Sequence, residues 1–170
     1  MDFFETINKR YSVRGFKDKK VEKEKLDQIL EAGRRAPTGV NYQPIKIFVI
    51  DTEKNKELLK EIYPQPWFVE APLVICVVAS HKEAWTRPWD GKNIAEIDAS
   101  IVMDHMILAA TALGLGTCYI AAFKPYAALK LFDYDETLEP ILFTPLGYPN
   151  AEPSERNNVR KNLTDLVIYK

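Results

Sequence analysis

Cysteine is nearly missing from this sequence: Cys76 and Cys118 are the two in 170 residues. Both lie in apolar stretches with no partner at ligand spacing, which excludes a disulfide framework and a Cys-x-x-Cys metal site. Histidine is as scarce. His81 and His105 stand far apart, with no cysteine or carboxylate at ligand spacing, so no metal centre is expected. An excess of one charge is also missing, since 23 Lys+Arg face 24 Asp+Glu for a net charge of −1. No broad basic field exists to hold a nucleic-acid backbone, although a local cluster that binds one small anion is still allowed. The most apolar run, 71–79, is too short to span a bilayer. The N-terminus is acidic at once and has no apolar signal core. These absences point to a cytoplasmic protein in a reducing compartment, with neither nucleic acid nor membrane as a partner.

What is present is an ordinary globular composition, 46% hydrophobic and 28% charged. The expectation is one domain over 1–170, large enough to bury about two thirds of its unfolded surface without staples. Periodicity predicts helices over 3–9, 20–35, 53–63, 94–113 and, short, 125–132. Residues 94–113 carry Ile97, Ile101, Met106, Ile107, Ala110 and Leu113 around more than half the circumference, so this helix should be central and buried. β-Branched and apolar runs predict strands over 45–51, 73–79, 117–123 and 140–146. The 73–79 run is unbroken, as in a strand buried on both faces. A polar stretch, 151–162, leads to a strand-like run, 163–169, that has nothing local to pair with. Such a strand can complete a sheet in a partner subunit. Helices and strands do not alternate regularly, so the fold class is α+β.

Three stretches carry chemistry. In Arg10-Tyr11-Ser12-Val13-Arg14, an extended backbone places Arg10, Ser12 and Arg14 on one side. Two guanidinium forks and a hydroxyl suit a phosphate or another planar anion, or form a solvated basic edge. The stretch from Arg35 to Pro44 is a loop between two prolines that presents Thr38, Asn41 and Gln43. Its amide side chains suit the edge of a heterocycle, and a structural turn is the other reading. Gly114-Leu115-Gly116-Thr117-Cys118-Tyr119-Ile120-Ala121 follows a helix and opens a strand. Its Gly-x-Gly is not a dinucleotide fingerprint, which would open a helix. A helix stop or close approach to something flat remains. Asp98 and Asp104 are six apart and read as capping or solvated charges rather than an acid–base pair. Cys118 has no adjacent base and reads as a buried structural thiol.

These three stretches, followed by Pro145-Leu146-Gly147-Tyr148-Pro149 and the basic pair Arg160-Lys161, occur in one order over nearly the whole chain. In this the sequence resembles the FMN-dependent nitroreductase family. The resemblance implies a mixed central sheet flanked by helices. It also implies an intertwined homodimer whose C-terminal arm, 151–170 here, reaches the other subunit. It implies an oxidoreductase that passes hydride from NADH or NADPH through flavin N5 to a small electron-poor acceptor, such as a nitroaromatic or quinone, by a ping-pong mechanism. Flavin binding without turnover, or a sibling activity such as reductive dehalogenation, are the alternatives.

Residue by residue, Arg10 and Ser12 match positions on the FMN phosphate, with Tyr11 contributing backbone. Arg14 matches a cation at the pyrimidine edge, where it supports the reduced flavin electrostatically. No other catalytic side chain is implied. Pro37, Thr38, Gly39 and Asn41 match a loop that reaches the flavin from the other subunit, with Gln43 close by. Tyr119, Ile120 and Ala121 match the stretch lining one flavin face. Arg160 and, more weakly, Lys161 match a late basic residue on the phosphate. Tyr11 departs from relatives that carry Arg or His there, and Gly15 is expected to soften the segment. Trp67, Trp85 and Trp89 are expected to wall the pocket over the isoalloxazine.

Overall fold

The computed structural model describes residues 1–133, 135, 137–151 and 159–170. Most of the polar stretch expected to begin the arm, 152–158, lies outside the described residues. The architecture is built around β2 (Leu73–Ala79). Val74, Cys76 and Val78 enter one buried cluster, while Ile75, Val77 and Ala79 enter another. Successive side chains point to opposite faces, so burial on both faces requires the unbroken apolar run.

β1 (Ile45–Asp51) and β4 (Glu139–Gly147) flank β2 antiparallel, with Ile45 opposite Ala79 and Leu73 opposite Leu146. β3 (Gly116–Thr117) adds to the end of β4, in the order β1-β2-β4-β3. The ladders among these four strands are all antiparallel. The sheet's mixed character rests on one parallel bridge, Ser12 to Thr117.

α2 (Lys23–Arg34) and α4 (Ala95–Ala112) cover one face, where Ile29, Met103 and Met106 meet Ile75, Val77 and Leu146. α3 (Lys56–Ile62) and α5 (Pro125–Leu129) cover the other, where Leu59, Ile62 and Ala128 meet Val74, Val78 and Phe143. α1 (Phe3–Lys9) lies against α4. Among the described residues, no helix is long and apolar enough to cross a membrane.

α4 ends where the sequence places its stop. Gly114 takes φ +76°, and Leu115 donates to the Ala110 carbonyl at 2.8 Å, the turn that a C-terminal glycine permits. Its burial differs from expectation. Ile97 is exposed and Ile101 half-buried, in one strip with Glu96, Ser100 and Asp104. The sheet and α2 use only part of the helix circumference, and Asp98 falls in that inward part.

Two expected strands are also corrected. In 117–123, the ladder stops after Thr117, because the Cys118 amide donates to the Thr144 hydroxyl at 3.1 Å rather than to a strand carbonyl. A single bridge, Ile120 to Phe143, follows. Residues 163–169 form one short turn, Leu163–Asp165, and no strand. Leu163, Leu166, Ile168 and Tyr169 are all exposed, and among the described residues no strand pairs with this run.

Candidate active site

The basic stretch after α1 is held edge-on to β3. Arg10 closes α1 by donating its amide to Thr6 at 3.0 Å, and the backbone then becomes extended. The Val13 amide donates to the Thr117 carbonyl at 2.9 Å, and Ser12 bridges Thr117 in parallel. Val13 is buried, Ser12 half-buried and Arg14 exposed, which is the alternation an extended strand dictates. The close approach depends on Gly116, where a Cβ would stand 2.7 Å from a Val13 methyl. Gly15 does not soften the segment. It is buried, and a side chain there would meet Asn150 at 2.6 Å. Tyr11 donates its hydroxyl to the Ala151 carbonyl at 2.8 Å.

The Ser12–Thr117 bridge sets this basic edge beside Cys118. Burial pushes the Cys118 thiol up, opposed by Arg14, by a hydrogen bond with Ser12 and by Arg10. The thiol therefore stays neutral at neutral pH, and Arg10 forms no ion pair among the described residues. Arg14 lies over the Trp67 ring, 6.0 Å from its centroid, and forms no ion pair among the described residues. Positive charge, a hydroxyl and a dry flank make this edge an anion site by chemistry.

One residue further, the chain turns toward α4. Tyr119 and Ala121 line a cleft of about 790 Å³ with Glu96 and Ser100 of α4 and Tyr126 of α5. Ile120 is buried behind them. Glu96, Ser100 and Tyr126 carry no motif and were not legible as site residues.

The Pro37–Gln43 loop sits elsewhere on the protomer. Val40, Asn41 and Gln43 all have positive φ, at 44°, 60° and 53°. For a β-branched valine this is a genuine strain, and each such residue costs about 1–3 kcal/mol. The loop is held by a dense set of bonds. Gln43 donates its amide to the Thr38 hydroxyl at 3.0 Å and its side chain to the Asn41 carbonyl at 3.2 Å. Gly39 donates its amide to Asp98 at 2.9 Å. Pro37, Asn41 and Gln43 are exposed and Thr38 half-buried. Asp98 and the pair Glu96 and Ser100 point from nearly opposite sides of α4, two residues apart. The loop and the Tyr119 cleft thus flank α4 on different sides of one protomer.

Asp98 is not a solvated charge. It is 1% exposed, and its second oxygen has no hydrogen-bond partner among the described residues. The three tryptophans do not form one wall. Trp67 packs under Arg14, Trp85 lies beside Gly39, and Trp89 is 86% exposed. Trp85 and Trp89 belong to a short hairpin, closed by the Thr86–Asn93 bridge and by Arg87 on Asp90. Arg160 and Lys161 are exposed, and Arg160 donates to its neighbour Val159 at 2.8 Å. Neither bonds to Arg10, Ser12 or Arg14 among the described residues. No group of three metal-ligating side chains occurs there either.

The sequence profile of the nitroreductase family matches residues 7–64 and 60–148. A nitroreductase family protein from Clostridium difficile 630 is 40% identical, with a TM-score of 0.91 over 100% of this chain and 99% of that one. The FMN-dependent nitroreductase of Clostridium difficile R20291 superposes with a TM-score of 0.76 at 26% identity, covering 92% of this chain and 97% of that one. The FMN reductase [NAD(P)H] of Bacillus subtilis is 26% identical over 164 residues, 87% of this chain and 66% of its own length. With its extended basic edge laid along β3 and its profile matched from α1 to the end of β4, this chain belongs to the nitroreductase family.

Proposed function

We propose that this chain is an FMN-dependent oxidoreductase that carries reducing equivalents from NADH or NADPH to a small electron-poor acceptor, such as a nitroaromatic or quinone. The observation that carries the reading is the extended basic edge, Arg10 to Arg14, laid along β3 by the Ser12–Thr117 bridge and by the Val13 amide on the Thr117 carbonyl, with Arg14 over the Trp67 ring. The donor set fits the cofactor. Arg10 and Ser12 take the phosphate, with Tyr11 contributing backbone, and Arg160 and Lys161 are further phosphate cations from the tail. A guanidinium and a phosphate oxygen at 4 Å attract by about 4 kcal/mol per unit charge at an effective dielectric of 20. Arg14, steadied on Trp67, holds positive charge where the reduced ring system becomes negative. Tyr119, Ile120 and Ala121 line one face. FMN, when bound, supplies the redox chemistry, and the protein supplies orientation and charge. One site used in turn by nicotinamide and acceptor gives ping-pong kinetics.

The working unit is a homodimer. Pro37, Thr38, Gly39, Asn41 and Gln43 match the family's loop that reaches the flavin of the other subunit, and their place on the other flank of α4 from the Tyr119 cleft supports that role. The exposed apolar residues favour this: Phe3, Phe4 and Ile7 on α1, Ile97 on α4, and Leu163, Leu166 and Ile168 in the tail. A monomer seldom leaves such a set uncovered. The chain acts as one domain, 1–170, with 151–170 as the exchanged arm. Its two buried free thiols suit the reducing cytoplasm.

The test is anaerobic addition of NADH, then NADPH, to the purified protein reconstituted with FMN. Stoichiometric bleaching near 450 nm is the expected result. A protein that takes up no FMN overturns the reading, and one whose flavin resists both reductants is a binding module without turnover.

A further inference from the structure

We propose that Asp98 is a positioning residue for the flavin. It holds the strained 37–43 loop through the Gly39 amide and ties that loop to the 85–94 hairpin. The inference rests on the flavin reading above.

Asp98 lies in the first turn of α4, where its own amide bonds to the Ile94 carbonyl at 3.0 Å. Its side chain is buried, and Oδ1 accepts from Gly39 at 2.9 Å. Oδ2 is left without a partner among the described residues. A buried acceptor without a partner is costly, so packing alone would not favour an acid here. What the carboxylate secures is one backbone amide, at the point where the loop enters three positive-φ residues.

The same place joins the hairpin. A Cβ on Gly39 would meet the Ile94 side chain at 2.3 Å and Trp85 at 3.3 Å. Ile94 and Trp85 close the hairpin base, the Ile94 amide donating to the Trp85 carbonyl at 3.2 Å. Asn93 pins it further, through His81 and Thr86, and starts α4 by accepting from Ala95 at 3.0 Å. Loop, hairpin base and first helical turn therefore meet at one place, with the Asp98–Gly39 bond at their junction.

The experiment compares FMN affinity, by fluorescence quenching, and the visible circular dichroism of bound FMN in the wild type, Asp98→Ala and Asp98→Asn. The side chain of the Asp98→Asn variant keeps an oxygen for the Gly39 amide. The expected result is that D98A weakens FMN binding about tenfold, the scale of one lost hydrogen bond, and alters the flavin dichroism. D98N restores both to near wild type. Where D98A does not fold, Asp98→Ser, whose hydroxyl is too short to reach Gly39, takes its place. Wild-type protein that binds no FMN overturns the flavin reading and this inference together. Wild-type protein that binds FMN, with D98A or D98S binding as tightly and with unchanged dichroism, overturns this inference alone. So does a D98N that fails to rescue.

Discussion

Val13 and Gly116 stand so close that a single methyl on Gly116 would lie 2.7 Å from a Val13 side-chain carbon. That contact lets the basic edge lie along β3, with the Val13 amide on the Thr117 carbonyl. It brings together two motifs about a hundred residues apart.

Gly116→Ala forces the two segments apart. Overpacking of this kind costs about 1–3 kcal/mol. Urea denaturation of the apo-protein should show that loss, and FMN titration should show weaker binding than the stability loss alone explains. A variant with wild-type FMN affinity would remove Gly116 from the account.

Arg14→Gln removes the cation steadied on Trp67. The reduced flavin loses more support than the oxidised one, so the two-electron midpoint potential should fall by tens of millivolts, about 30 mV for each 1.4 kcal/mol. Arg10→Gln should act chiefly on FMN affinity instead. Spectroelectrochemistry of both variants separates the two roles.

Neither cysteine is poised as a nucleophile. Burial pushes the Cys76 thiol well up and the Cys118 thiol up in spite of Arg14. Native protein should react with Ellman's reagent only as it unfolds, and Cys118→Ala should retain FMN-dependent turnover. Rapid native labelling of Cys118 would contradict the dry flank assigned to the phosphate edge.

Glu31 accepts from Arg34 at 2.6 and 2.7 Å and from Arg35 at 2.7 Å. The Arg34 bond first, then Arg35, lowers its pKa from 4.5 to about 2. Because the folded value is depressed, the interaction stabilises fully above pH 4.5 and is lost as pH falls through about 2. The pair is exposed, so salt weakens it. Wild type and Glu31→Gln should therefore differ at pH 7 and converge below pH 2.

Removal of residues 152–170 should shift the protein from dimer to monomer in sedimentation velocity and weaken FMN binding in parallel. A truncated protein that remains dimeric would assign the interface to α1 and α4 alone.

Local chemistry made much of this legible. The run 73–79 has no polar residue, so it must bury both faces, and it does as β2. Alternation along 10–14 places Val13 inward and the arginines outward, and Gly114 ends the long helix. Each is a short-range property of backbone geometry. The strand expected over 163–169 pairs with no strand among the described residues, and since pairing depends on which edge packs beside a run, apolar composition alone could not place it. The side of α4 left uncovered, with Ile97 on it, is a property of what packs around the helix.

Asp98 marks the boundary most clearly. Its spacing from Asp104 points to a capping or solvated charge, because sequence spacing reports neither depth nor neighbours. Only the packing of α4 against the hairpin base and the loop buries that carboxylate and gives it the Gly39 amide, 59 residues away. Periodicity and turn chemistry determine the helices, the stops and the strands whose partners are fixed by burial on both faces, such as β2. Burial and long-range contact decide which polar side chains are left with a single partner, and so which loop is held in a strained shape.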